Sequence, residues 1–256
     1  MQFSISERIS RTARVLLEAR ASGARLAALP EAVRPRDEAE AVAIQLCVAD
    51  ALGEIGGFKV GAAGPDAEPS CAPMAAVGIF ESPAQVDGAV FTQRGVESEI
   101  AFVMGRDLPP VDKAYSRAAV MAAIASCHAG IEILQSRFVD VGQVDEWSRL
   151  ADGLQHGGYV LGRAIAQWRE LDFAELRLVQ LVGADEKRAV GNPAGDMIRL
   201  VQWLANVGAV RFGGLRAGQV ITCGSWAGST PAEVGDRIFV SFDGFAPVEM
   251  IFVRSP

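Results

Sequence analysis

The chain has 256 residues, half of them hydrophobic, and a formal net charge of -7. This is a globular composition with ample material for a core, and its negative charge weighs against nucleic acid or anionic lipid as a general partner. Four widely spaced cysteines (Cys47, Cys71, Cys127 and Cys223) form no CxxC pair, which weighs against a zinc or disulfide framework and predicts buried, reduced thiols.

Ser4 and Glu7 fit a capping box, followed by Ile5, Ile9, Ala13, Leu16 and Leu17 at helical spacing. Arg8, Arg11 and Arg14 hint at a transit peptide, but Glu7 and Glu18 argue against one. Gly23 and Pro30 break the pattern; Asp37 with Glu40 then caps a second helix, which carries Val42, Leu46 and Ala49 on one face and ends at Gly53. From Gly56 the character turns to β, giving a helical region at 1–54 and a β-rich catalytic domain at 55–256. Strand segments are expected at Phe58–Val60, Gly78–Phe80 and Val96–Met104, a helix at 117–126, and strands at Gly130–Leu134, Tyr159–Gly162 and 174–182. Gly191-Asn192-Pro193 marks a turn before a helix at 197–207, and 219–223 reads as a buried strand. Arg237–Phe242 and Val248–Val253 flank Asp243-Gly244 as a hairpin. The longest small-apolar stretch, Ala118 to Cys127, is too short to span a bilayer, so the expectation is a cytoplasmic protein with no membrane partner.

Val96-Glu97-Ser98-Glu99-Ile100 carries the strongest chemical signal. On a strand, Glu97 and Glu99 project to one face near a core, where one must take a proton or a cation must sit between them. Glu132 is the lone charge in Gly130-Ile131-Glu132-Ile133-Leu134 and needs a partner or a metal. Oxygen-only ligation suits Mg²⁺, Mn²⁺ or Ca²⁺. The competing reading is an exposed edge strand with Glu132 paired to Arg137. Lys59, between flanking glycines in Gly57-Phe58-Lys59-Val60-Gly61, is a candidate to hold a carboxylate, or to act as an acid or base if its pKa is depressed. Gly224 and Ser225 open a loop whose amides and hydroxyls could cradle a carboxylate. Of the two histidines, His128 reads as structural, and His156, in a glycine-rich loop, is a candidate proton donor.

Together these motifs resemble the fumarylacetoacetate hydrolase superfamily, in its branch of 2-oxopent-4-enoate hydratases and 4-oxalocrotonate decarboxylases. The Gly57–Gly61 segment is similar to the glycine-aromatic-lysine motif, Glu97-Ser98-Glu99 to the metal strand, and Glu132 with Ser136-Arg137 to the third ligand and its following Ser-Arg. Gly191-Asn192-Pro193, Trp203-Leu204-Ala205 and Leu215 through Ser225 look like the C-terminal half. Two loops depart from the pattern: Gly61–Pro65 lacks the usual Ser-Lys, and Ala151–Gln155 lacks the Asn and Ser of its counterpart.

The resemblance implies an α+β fold, a mixed β-roll with N-terminal and peripheral helices. It implies Mg²⁺ or Mn²⁺ on Glu97, Glu99 and Glu132, with Lys59 beside the reacting carbons and Gly224 and Ser225 at the substrate. The leading expectation is a hydratase that adds water to a 2-hydroxy-2,4-dienoate to give a 4-hydroxy-2-oxo acid in aromatic catabolism, with Lys59 and His156 moving protons. The alternatives are decarboxylation of a 2-oxo-3-enedioate, C–C hydrolysis of an acylpyruvate, and a non-catalytic 2-oxo-acid-binding subunit. Expected partners are the small acid itself, further copies in a homo-oligomer, and a related decarboxylase or aldolase.

Overall fold

Two capped helices begin the chain. Ser4 and Glu7 close a complete capping box on α1 (Ile5–Ser22), and Asp37 caps α2 (Glu38–Leu52) through the Glu40 amide. The predicted apolar stripe of α1 is rotated: Arg8, Thr12, Ala13, Leu16 and Ala19 are buried while Ile5 is exposed. The cause is polar, since Arg8 turns inward to pair with buried Glu40 of α2, and the Thr12 hydroxyl donates to the Val33 carbonyl. The computed structural model describes residues 4–254, so the outermost residues of the 1–54 and 55–256 regions, 1–3 and 255–256, lie outside the described residues.

The remaining elements are β1 (Ile55–Gly61), β2 (Ser70–Ala75), β3 (Ile79–Glu81), β4 (Ala84–Asp87), β5 (Gly95–Met104), α3 (Arg117–Ala123), β6 (Ile124–Leu134), α4 (Glu146–Ala151) and β7 (His156–Ile165). They continue through β8 (Arg177–Val182), β9 (Asp185–Val190), α5 (Met197–Trp203), β10 (Val220–Thr222), β11 (Thr230–Pro231), β12 (Arg237–Phe242) and β13 (Val248–Val253). One mixed sheet runs β2-β1-β10-β5-β6-β7-β3 with β11 joined to β5; the other runs β4-β13-β12-β8-β9. Both supply one apolar cluster, Phe58, Ile100 and Phe102 from the first and Val240, Phe242 and Phe252 from the second. The helical layer shares a smaller cluster with the following region, where Leu16 and Ile44 meet Phe138, Val144 and Ala151. This is the α+β roll with peripheral helices that the sequence suggested.

Several expectations shift. The helix predicted at 117–126 stops at Ala123, because Ile124–Ser126 join the long β6 ladder against β5. Strand β8 starts at Arg177, not at residue 174, and α5 continues past Trp203 as a π turn, Leu204–Gly208. Strands β2, β4, β9 and β11 and helix α4 went unread. The edge strand β2 contains Pro73, and β9 is highly charged, so neither shows the alternation of a half-buried strand. Cys71, Cys127 and Cys223 are buried free thiols as expected, but Cys47 is exposed. No helix among the described residues is long and apolar enough to cross a membrane.

Candidate metal and substrate site

The ladder between β5 and β6 builds the centre. It sets Glu97 directly across from Glu132 and Glu99 across from Gly130, so the three carboxylates leave one face of the sheet. One oxygen from each lies within 4.8 Å of the others. Glu99 and Glu132 are fully buried and Glu97 is partly so. Burial, reinforced by Glu132, pushes the Glu97 carboxyl up to about 7, and Glu99 is raised well above its usual range by burial and by both neighbouring glutamates.

Lys59 enters from β1, whose parallel pairing with β10 sets it beside Thr222. Its Nζ donates to Glu132 Oε2 at 2.8 Å and to the Leu154 carbonyl at 3.1 Å. Burial alone would depress this ammonium, yet the charges of Glu132, Glu99 and Glu97 outweigh it and hold its pKa above the ordinary value. The depressed lysine entertained from sequence is therefore replaced by a firmly protonated one. His156, at the start of β7, meets Glu132 Oε1 through Nδ1 at 2.8 Å. A carboxylate only accepts, so Nδ1 carries the proton and Nε2 of the neutral ring is an acceptor. Burial lowers the His156 pKa despite Glu132 and keeps the ring neutral. Burial would raise Glu132, but Lys59 and His156 together pull it below the usual carboxylate range.

Glu132 is thus not paired with Arg137, as the edge-strand reading had it. Arg137 is held by buried Asp152 in the loop before β7, and Asp152 also accepts from the Ser136 hydroxyl at 2.9 Å. Glu99 Oε2 accepts from the Thr222 hydroxyl and, at 3.2 Å, from the Gly224 amide. The neighbouring Ser225 hydroxyl is buried with no partner among the described residues. His128 lies apart, bonded to Ser126 Oγ at 2.8 Å and to the Gly162 carbonyl at 2.9 Å. Sequence reasoning missed Thr222; its place at the end of a buried β10, two residues before Gly224 at positive φ, was the available signal. A separate hollow of about 390 Å³ lies behind His156, walled by Leu16, Arg20, Val48, Phe80 and Phe91, and none of the three glutamates lines it.

The donor set fits a hard divalent cation. Three carboxylates face one ammonium and a neutral imidazole, so the buried cluster carries two uncompensated negative charges when ionised. Carboxylate oxygens of this number, with lone pairs left over, suit Mg²⁺, Mn²⁺ or Ca²⁺.

Comparison with known proteins supports the same region of chemistry. The family model described as fumarylacetoacetate (FAA) hydrolase C-terminal matches residues 40–253. The 2-keto-4-pentenoate hydratase 1 of Dechloromonas aromatica (strain RCB) is 28% identical over 188 residues, 68% of this chain and 68% of the relative. The 2-hydroxyhexa-2,4-dienoate hydratase of Comamonas testosteroni is 33% identical over 170 residues, 63% of this chain and 61% of the relative. In fold, the chain superposes on a 4-oxalocrotonate decarboxylase from Pseudomonas putida G7, complexed with magnesium and adipate, with a TM-score of 0.86. That match has 22% identity and covers 99% of this chain and 100% of the other.

Proposed function

We propose a function from one premise: this chain belongs to the fumarylacetoacetate (FAA) hydrolase C-terminal family. On that premise it is a divalent-metal-dependent hydratase that adds water to a 2-hydroxy-2,4-dienoate and yields a 4-hydroxy-2-oxo acid. The observation that carries the reading is the convergence of Glu97, Glu99 and Glu132 within 4.8 Å, beside a charged lysine and a neutral histidine. Relatives named as hydratases of 2-keto-4-pentenoate and 2-hydroxyhexa-2,4-dienoate support the substrate class.

The three glutamates would hold Mg²⁺ or Mn²⁺, which when bound supplies Lewis-acid stabilisation of negative charge on the 2-oxygen of the substrate. Lys59 and His156 grip the two oxygens of Glu132 and so fix the orientation of that ligand. Lys59, held as an ammonium, is the proton donor to the far carbon of the diene and is restored by the proton that leaves the 2-hydroxyl, giving a 2-oxo-3-enoate. His156, its Nδ1 held by Glu132, takes a proton through Nε2 from the water that then adds at C4 and returns it to C3. Two titratable groups with opposite protonation states in one pocket make a workable acid/base pair. The Ser225 hydroxyl is the donor for the substrate carboxylate, set in place by Gly224, whose own amide is held by Glu99. The assembly we propose is a homo-oligomer.

The test is an ultraviolet assay with Mg²⁺-loaded protein and 2-hydroxypenta-2,4-dienoate. Loss of diene absorbance with incorporation of one water is the expected result. Turnover confined to a 2-oxo-3-enedioate with CO₂ release, or to an acylpyruvate with pyruvate release, would replace the hydratase reading by one of its alternatives.

A further inference from the structure

One buried hydroxyl outside these roles belongs to the face that carries the carboxylates. Tyr159 on β7 sits directly across from Glu132 on β6 and so shares its face. Its side chain is fully buried in a cluster with Met74, Ala101 and Val220, and its hydroxyl, beside that of Thr222, makes no hydrogen bond of full geometry among the described residues. Buried hydroxyls nearly always find a partner, and the polar group within reach of this one is Thr222.

Gly130 makes room for this phenol. A Cβ at Gly130 would lie 2.1 Å from the Tyr159 oxygen and 2.4 Å from the ring carbon that bears it. Gly130 is also the residue directly across from Glu99. The missing side chain opposite Glu99 is thus the slot into which the phenol projects. Thr222 is the third member: the phenol lies against it, and its hydroxyl donates to Glu99 Oε2. Having given its one proton to Glu99, the Thr222 oxygen keeps lone pairs to accept another. A phenol is protonated at neutral pH and has a proton to give. With Thr222 and the Gly224 amide both on Oε2, Glu99 Oε1 stays open for a cation.

We propose that Tyr159 is a positioning residue for Glu99, acting through a Tyr159-to-Thr222-to-Glu99 chain of hydrogen bonds that Gly130 admits. The inference rests on the reading of the three glutamates as a metal site. The chain fixes which Glu99 oxygen faces the cation, so its removal weakens metal binding and leaves the reacting groups in place.

The experiment is calorimetric titration of Mn²⁺ into the metal-free unaltered chain, Tyr159→Phe, Thr222→Val and the double variant. Each single change is expected to weaken binding about tenfold or more, the scale for partners behind a metal ligand. The double variant should be no weaker than the worse single, because both remove one chain. Activity of Tyr159→Phe should fall at limiting Mn²⁺ and recover at saturating Mn²⁺, a response that a merely structural defect does not give. Gly130→Ala should mimic Tyr159→Phe; if it does not fold, the near-isosteric Tyr159→Phe decides alone. Binding by Tyr159→Phe within about twofold of the unaltered chain, or fully additive penalties, would overturn the inference while sparing the metal site. Failure of the unaltered chain to bind Mn²⁺ would overturn both.

Discussion

The two faces of β5 hold buried polar groups in opposite ways. On one face Ser98 donates to Gln180 at 2.6 Å, and Gln180 donates to Thr230 at 2.7 Å; all three are neutral and buried. On the other face, Glu97 and Glu99 join Glu132 around a single ammonium. The first set is completed by the protein itself, and the second leaves charge unbalanced. Burial of polar groups therefore does not by itself mark a site on this strand; uncompensated charge does.

The sharpest way to break the contrast is to remove charge from the second face. Glu99→Gln is expected to lower hydratase activity by about 10³-fold or more. It should also raise the melting temperature of the metal-free protein, since the fold no longer has to hold a buried carboxyl whose pKa is raised well above its usual range; activity assays and thermal melts with chelator check both. Lys59→Met should lower activity by about 10²-fold or more. It should also destabilise the metal-free protein, because Glu132 loses its cationic partner inside the sheet.

On the neutral face, Gln180→Leu leaves Ser98 and Thr230 unpaired and should cost about 1–3 kcal/mol in denaturant unfolding. Its Mn²⁺ affinity should stay unchanged, since Ser98 points away from the carboxylates. A large loss of metal affinity in this variant would show that the two faces are coupled and break the comparison.

The smallest effect is a pH dependence. Glu97 is raised from 4.5 to about 7, and a raised acid stabilises the fold below its unfolded pKa and loses that contribution as pH climbs through its folded one. Metal-free protein should therefore shed this contribution between about pH 4.5 and pH 7. A cation must displace the same protons, so the rise in melting temperature on adding Mg²⁺ should grow over that window. Thermal melts with and without Mg²⁺ across the range read the difference; an increment that shrinks as pH rises would contradict the assignment.

The charged face was legible in the sequence because its signals are local. A Glu-x-Glu on a strand and a lone Glu in an apolar run declare themselves by period alone. Partners set by long-range register were not legible. Glu132 takes Lys59 and His156, not Arg137, because β6 lies between β5 and β7 and turns Glu132 toward the sheet face that β1 also lines. Tyr159 carries no signal of its own and Thr222 only its place at the end of a buried strand; the pairing of β10 with β5 and of β7 with β6 brings them near Glu99 and Glu132. Strands β2 and β9 were hidden where Pro73 or a run of charges interrupted the alternation, and β4 because four residues are too few to establish it.

The role of this site turns on whether Glu97, Glu99 and Glu132 share one divalent cation. Anomalous diffraction from crystals grown with Mn²⁺ tests it most directly. One strong peak, bounded by an oxygen from each of the three glutamates, is the expected result. A well-diffracting crystal with Mn²⁺ bound elsewhere, or with these carboxylates turned away from one another around no ion, would contradict it.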